Sequence, residues 1–149
     1  MANKYVTEEV RKQIGVRSEP VTWEVERGAI IRFARAIGDP NPLFNDEPRA
    51  RATRFGGLIA PPTFCRSLTP NIPIIKLDMP SFRVVDGGSD WEYFEPIRVG
   101  DRITVVSKLT DIREAAGRLG MMVIMSFEFT YTNQFGQVCV IQRSNLIRY

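Results

Sequence analysis

Residues 38–44 read Gly-Asp-Pro-Asn-Pro-Leu-Phe and follow directly on a stretch with helical periodicity. Gly38 stands where a helix-ending glycine belongs, and the prolines at positions 40 and 42 prevent the helix from continuing. Taken alone, Asp39 and Asn41 are ordinary turn residues. The preceding helix is predicted from apolar residues at i, i+3, i+4 and i+7, namely Ile30, Phe33, Ala34 and Ile37.

Two further segments stand out downstream. Residues 55–62 read Phe-Gly-Gly-Leu-Ile-Ala-Pro-Pro, and the proline pair predicts the opening of a second helix that runs to about Leu68. Residues 87–101 read Gly-Gly-Ser-Asp-Trp-Glu-Tyr-Phe-Glu-Pro-Ile-Arg-Val-Gly-Asp. Gly87-Gly88 predicts a β-bulge where the sheet passes close to the central helix. No helix follows this glycine pair, so a dinucleotide-binding loop is not indicated.

From about residue 81 onward the pattern is that of strands. Short stretches at residues 117–118 and 133–136 are typical of hairpin turns, and strands joined by tight turns pair antiparallel. The sequence therefore predicts an α+β fold in which a strand meander wraps around an apolar helix. A shorter strand is expected at residues 21–25, and Asp46 is expected to cap a short helix with Pro48 in its first turn. The residues predicted to face the core are Ile103, Val105, Ser107 and Leu109 on one strand, and Met121, Val123, Met125, Phe127, Phe129 and Tyr131 on the next.

The composition excludes several classes of function. The chain has 149 residues, which fits one domain over 1–149, and it contains no histidine. A single chain of this kind cannot build a Ser-His-Asp or Cys-His site or a His-ligated zinc site, and its two cysteines, Cys65 and Cys139, cannot form a Cys-only zinc site. We interpret both cysteines as reduced core residues and expect no metal site.

Charge and hydropathy predict the surroundings of the protein. The net charge is only +3, without a basic stripe, so we expect no nucleic-acid partner. The longest apolar runs, such as residues 121–125, are far shorter than the roughly 20 residues of a transmembrane helix. The first residues lack the apolar core of a secretory signal, so the expected location is cytoplasmic, with no membrane partner.

Together, the order and spacing of the segments at 38–44, 55–62 and 87–101 resemble the N-terminal hot-dog domains of the MaoC-like dehydratases, a group that includes the (R)-specific enoyl-CoA hydratases. The resemblance covers roughly residues 10–149. It implies a curved antiparallel sheet around a long helix, usually paired with a second hot-dog in a homodimer or heterodimer. It also implies an acyl thioester of CoA or of an acyl carrier protein as substrate, reversible addition of water to a trans-2-enoyl thioester, and no cofactor.

The resemblance assigns roles to particular positions. Asp39 stands at the acid–base aspartate, Asn41 is its neighbour, and Ser67 matches a position that is often a polar helper. The partner histidine of active members is replaced by Phe44, and their His-Gly pair at the central helix start is replaced by Pro61-Pro62. Proline has no backbone N–H, so Pro62 cannot donate to the oxyanion. The positions expected to contact substrate are Phe44, Phe55, Gly57, Pro62 and Gly88.

Three functions follow from these departures. Loss of a general acid–base costs about 10² to 10⁴ in rate, and loss of one oxyanion donor about 10² to 10³. We therefore expect a substrate-shaping half of a hydratase that needs a His-containing hot-dog paralogue as its catalytic partner. The alternatives are a self-sufficient hydratase using Asp39 with Ser67 or Asp46, and a hot-dog acyl-CoA thioesterase that uses a carboxylate without histidine.

Overall fold

A computed structural model describes residues 4–80, 83–118 and 120–149. Within these residues, five strands form one antiparallel sheet with the order β1-β3-β4-β5-β2. The central strands β3, β4 and β5 follow one another through tight turns. Strand β2, which precedes β3 in the chain, lies at the far edge of the sheet and pairs with β5. The strands are β1 (Val21–Glu24), β2 (Val84–Tyr93), β3 (Arg102–Gly117), β4 (Gly120–Thr132) and β5 (Val138–Arg148).

Alternation of apolar residues determines which face of the sheet is buried. Every predicted inward residue of β3 is fully buried, and so are those of β4 apart from Met121 at the strand end. The turn at 133–136 is confirmed, with the Asn133 N–H donating to the Gln137 carbonyl at 2.9 Å. The β3–β4 hairpin pairs Gly117 with Gly120, which confirms the second predicted turn. The meander is therefore dictated by local sequence.

Among the described residues, four short α-helices precede the meander, and the longest is the one predicted from apolar periodicity. Ile30 and Ala34 are fully buried, and Phe33 packs edge-on against Phe64 with ring centroids 5.6 Å apart. Ile37 is 50% exposed because the helix has already ended there, and Gly38 follows with a φ of 70°, which favours glycine. The helices are α1 (Glu8–Arg11), α2 (Arg27–Ala36), α3 (Pro42–Asn45) and α4 (Glu47–Arg51). Asp46 caps α4 as predicted, accepting from the Arg49 N–H at 3.1 Å.

The central helix is shorter than the hot-dog resemblance implies. It is a six-residue 3-10 helix, Pro62–Ser67, that buries Phe64 and Cys65 against the sheet. Pro62 in its first turn contributes no N–H, and the chain becomes extended at Leu68 and stays irregular to Met79. The fold class, an α+β hot-dog with an antiparallel sheet around a central helix, is nevertheless confirmed.

The predicted bulge in β2 is present, and the structural element that packs closely against Gly87 is strand β5. Pairing with β5 shifts register between Asp86 and Ser89, and Gly88 has a φ of 102°. A Cβ at Gly87 would lie 3.0 Å from the carbonyl oxygen of Asn145 in β5. The crowded neighbour of Gly87 is thus the adjacent strand, whereas the central helix approaches β2 at Asp86, through its ion pair with Arg66 at 3.5 Å.

One buried carboxylate holds the Pro96–Asp101 segment. Asp101 accepts hydrogen bonds from the Arg98 N–H at 2.8 Å and from the Gln134 side-chain amide at 2.9 Å. It thereby ties the end of the β2–β3 connection to the turn after β4. No helix within the described part of the chain is long and apolar enough to cross a membrane.

Candidate functional site

An apolar cavity of about 240 Å³ opens where α3, the start of the 3-10 helix and the end of β2 meet. Its walls are mostly aliphatic and aromatic side chains and prolines. The residues that line it are Leu43, Phe44, Phe55, Ile59, Ala60, Pro61, Pro62, Tyr93, Phe94, Glu95, Pro96, Ile97 and Val140. Such a surface fits an acyl chain better than a charged metabolite.

Local turn chemistry places Phe44 in this wall. The side chain of Asn41 caps α3 by accepting from the Leu43 N–H at 3.0 Å, and Pro42 fits the first helical position. Phe44 is then only 6% exposed. The Ile59 N–H donates to the Leu43 carbonyl at 3.1 Å, which holds α3 beside the segment that leads into Pro61. Phe44, Phe55 and Pro62, three of the positions predicted to contact substrate, line this one cavity.

The predicted acid–base aspartate, Asp39, and its neighbour Asn41 are engaged in the turn before α3. Asp39 Oδ1 accepts from the Asn41 N–H at 2.9 Å. The Asn45 side-chain amide donates to the carbonyls of Asp39 and Asn41 at 2.9 Å and 3.0 Å. Neither Asp39 nor Asn41 lines the cavity. In this arrangement both residues stabilise a turn.

The remaining predicted residues lie apart from the cavity. Ser67 is exposed and its hydroxyl donates to the Phe64 carbonyl at 2.6 Å. Gly57 lines an adjoining pocket beside Glu47 that shares Phe55 with the cavity, and Gly88 lies at the bulge in β2. Asp46, the alternative helper, caps α4. The structure thus brings together the predicted apolar residues and leaves the predicted polar ones outside.

Sequence reasoning missed the two polar groups that do line the cavity, Tyr93 and Glu95. Burial raises the pKa of Tyr93, with a smaller contribution from Cys65, so its phenol remains protonated at neutral pH. Tyr93 also stacks on Trp91 with ring centroids 6.5 Å apart. It reaches the cavity because it pairs across the sheet with Val140, another residue of the cavity wall, and no local sequence signal marks this pairing.

Neither cysteine is placed for nucleophilic chemistry. Both are free and buried, which confirms the interpretation as reduced core residues. Burial, with a smaller contribution from Cys139, raises the pKa of the Cys65 thiol to about 12, so the reactive thiolate is scarce at neutral pH. Among the residues that the structure describes, no group of three or more Cys, Asp or Glu side chains could hold a metal ion.

Known proteins resemble this chain along most of its length. A family model described as "FAS1-like, dehydratase domain region" matches residues 12–142. A UPF0336 protein of Streptomyces avermitilis is 40% identical over 108 residues, which cover 68% of this chain and 72% of that protein. The crystal structure of a MaoC-like dehydratase from Rhodospirillum rubrum has a TM-score of 0.73 at 25% identity, covering 91% of this chain and 92% of that one.

A heteromeric protein shares the fold as well. A C-terminally truncated HadBC (3R-hydroxyacyl-ACP dehydratase) complex from Mycobacterium tuberculosis gives a TM-score of 0.72 at 21% identity, covering 91% of this chain and 96% of that one. At that identity, the likeness shows the fold alone.

Proposed function

The chain belongs to the FAS1-like dehydratase domain family, within the MaoC-like dehydratase group, and on this basis we propose that it is the substrate-shaping half of an enoyl-thioester hydratase, or (3R)-hydroxyacyl dehydratase. Its catalytic partner is a second hot-dog that carries the missing histidine. The substrate is an acyl thioester of CoA or of an acyl carrier protein. The reaction adds water reversibly across a trans-2-enoyl double bond.

The character of the cavity wall is the observation that carries this proposal. By the family resemblance, Phe44 stands at the position of the acid–base histidine, and its ring can neither accept nor donate a proton. By the same resemblance, Pro62 stands at the position of an oxyanion donor, and it has no N–H. Both lie in the wall of an apolar cavity, which suits the binding of an alkyl chain. A hydratase that has lost these two groups together has lost about 10⁴ or more in rate.

The position of β2 at the edge of the sheet favours a partner subunit that binds beside this cavity. It is a ten-residue strand at the end of the sheet, and most of its residues are exposed. An edge strand offers unpaired N–H and C=O groups to a further strand. At its end, Tyr93 and Phe94 are about half exposed and also line the cavity. A partner strand added to β2 would therefore lie next to the bound acyl chain.

Reconstitution tests the proposal. The chain is expressed alone and together with a His-containing hot-dog encoded next to its gene, and hydration of trans-2-enoyl-CoA is followed for each. We expect activity from the pair, none from this chain alone, and co-purification of the two. Equal activity of the paralogue with and without this chain would refute the proposal.

One observation favours a second candidate, a hot-dog thioesterase. Among the described residues, Glu95 is the carboxylate that lines the cavity, and a carboxylate can take the proton of water as it attacks a thioester carbonyl. This reaction releases a free thiol and a carboxylic acid. Thiol release from a saturated acyl-CoA, abolished by Glu95→Gln, would support it, and absence of thiol release would refute it.

A further inference from the structure

A second cavity, of about 270 Å³, lies between the 3-10 helix and the inner face of β4 and β5. It follows the first cavity along β5: Val140 lines the first, and Gln142 and Ser144 line the second. Inward-facing residues of one strand are about 7 Å apart. An extended chain that fills the first cavity and continues along β5 therefore reaches the second.

Part of the wall of this second cavity is polar, although apolar side chains such as Ile72, Phe129 and Leu146 line much of the rest. The Tyr131 hydroxyl donates to Gln142 Oε1 at 3.0 Å, and Gln142 Nε2 donates to the Ser89 hydroxyl at 3.1 Å. Gln142 is 5% exposed, and Ser144 beside it is also buried. These residues lie on three neighbouring strands and form one row of polar side chains across the inner face of the sheet.

This row retains hydrogen-bonding capacity after its internal bonds are made. An amide NH₂ has two donors, and the pairing with Ser89 uses one of those of Gln142. The Ser144 hydroxyl makes no side-chain hydrogen bond within the part of the chain that the structure describes. Burial raises the pKa of Tyr131, so its hydroxyl stays protonated and acts as a donor.

The cavity also has a charged rim. Arg66 of the 3-10 helix and Asp86 of β2 form an ion pair at 3.5 Å, and both side chains are about half exposed. Because this pair is half exposed, the cavity opens towards solvent there, and water that enters can hydrogen-bond to the polar row. An alkyl chain that enters must displace this water without replacing its hydrogen bonds.

We propose that the second cavity selects acyl chains that carry an oxygen substituent, a hydroxyl or a keto group, beyond the segment held in the first cavity. Gln142 and Ser144 are the specificity-determining residues, and Tyr131 orients the Gln142 amide. The inference rests on the proposed binding of acyl thioesters. One neutral hydrogen bond to the substituent corresponds to a preference of about 3- to 10-fold over the plain chain.

The test compares matched saturated acyl-pantetheine thioesters, which carry the arm common to CoA and acyl carrier proteins. Hexanoyl, octanoyl and decanoyl thioesters are each paired with their ω-hydroxy derivative, so that the position of the hydroxyl is sampled. Binding to the purified full chain is measured by calorimetry. Tyr131→Phe/Gln142→Met removes both partners of one hydrogen bond at nearly constant volume, and Thr130→Val, on the same strand but the opposite face, is the matched control.

We expect the ω-hydroxy thioester to bind about 3- to 10-fold more tightly than the plain thioester for at least one chain length. This preference is lost in the double variant and kept in Thr130→Val. If the double variant does not fold, Ser144→Ala provides the same comparison, because this change creates little empty volume. We expect Ser144→Ala to reduce the preference for the ω-hydroxy thioester. Plain chains that bind as tightly as hydroxylated ones at every length would overturn the inference and leave the proposed function intact. Failure of all the thioesters to bind would overturn both.

Discussion

Phe44 in α3 and Pro62 at the start of the 3-10 helix line the same apolar cavity. In the MaoC-like pattern these two positions carry the proton-transferring histidine and an oxyanion donor. The two residues therefore meet at one place, and under the proposed function they form part of the wall that holds an acyl chain.

Phe44→Ala is expected to destabilise the protein and to weaken acyl binding. The ring is almost fully buried, and large-to-small changes of a buried Phe cost about 3–5 kcal/mol of unfolding free energy. Urea unfolding measures this loss. Phe135→Ala is the control, because Phe135 is 76% exposed and its loss should change stability by no more than about 0.5 kcal/mol. Equal effects of the two changes would contradict the placement of Phe44.

Asp39→Asn is expected to leave both stability and the rate of the reconstituted assembly unchanged. An asparagine oxygen can accept from the Asn41 N–H as the carboxylate does. Asp39→Ala removes this acceptor and should cost about 0.5–1.5 kcal/mol of unfolding free energy. If Asp39→Asn slows the assembly about 10²-fold or more, Asp39 takes part in proton transfer rather than in the turn.

Asp101→Ala is expected to cost about 1.5–3 kcal/mol, because it removes the charged acceptor of two hydrogen bonds. Gln134→Ala removes only one of these bonds and should cost less. Denaturant unfolding of both variants provides the comparison. A larger loss for Gln134→Ala would show that the carboxylate is not the main support of the Pro96–Asp101 segment.

Glu114 gives the N-terminal segment a pH-dependent attachment. Its carboxylate accepts from the backbone N–H groups of Lys4 at 3.1 Å, of Val6 at 2.6 Å and of Tyr5. Partial desolvation raises the pKa of Glu114, but these hydrogen bonds and the nearby Arg11 outweigh it and hold the pKa below its ordinary value of 4.5.

Because the pKa of Glu114 is lower in the folded protein, its contribution to stability is complete above pH 4.5 and is lost as the pH falls through the folded-state pKa. The protection of the amides of residues 4–6, which is the factor by which their exchange is slower than the intrinsic rate at the same pH, should therefore fall on acidification in the wild type. In Glu114→Gln this protection should already be low at neutral pH and should change little with acidification. Identical profiles for the two proteins would refute this role.

Local patterns predicted the elements of the fold. Alternation along β3 and β4, the glycine after α2 and the capping by Asp46 each depend on residues a few positions apart, and each was found as predicted. The helix predicted from Pro61-Pro62 to about Leu68 was also found, as Pro62–Ser67, whereas the long central helix that the family resemblance implies was not.

The polar part of the site could not be predicted in the same way. The hydrogen bond from Asn41 to Asp39 was anticipated by turn chemistry, but whether Asp39 also faces the cavity depends on how α3 packs. Tyr93 and Glu95 reach the cavity through the pairing of β2 with β5, strands that are far apart in the sequence. Such contacts are set by register across the sheet, and no local pattern encodes them.

One measurement tests most directly whether the chain is a substrate-shaping half. The purified chain alone is mixed with a short trans-2-enoyl-CoA, and the rate at which the enoyl absorbance is lost is measured. A substrate-shaping half is expected to show no turnover at high protein concentration, while circular dichroism confirms that it is folded. Turnover by the chain alone that disappears in Asp39→Asn would contradict this role and would identify Asp39 as a catalytic group.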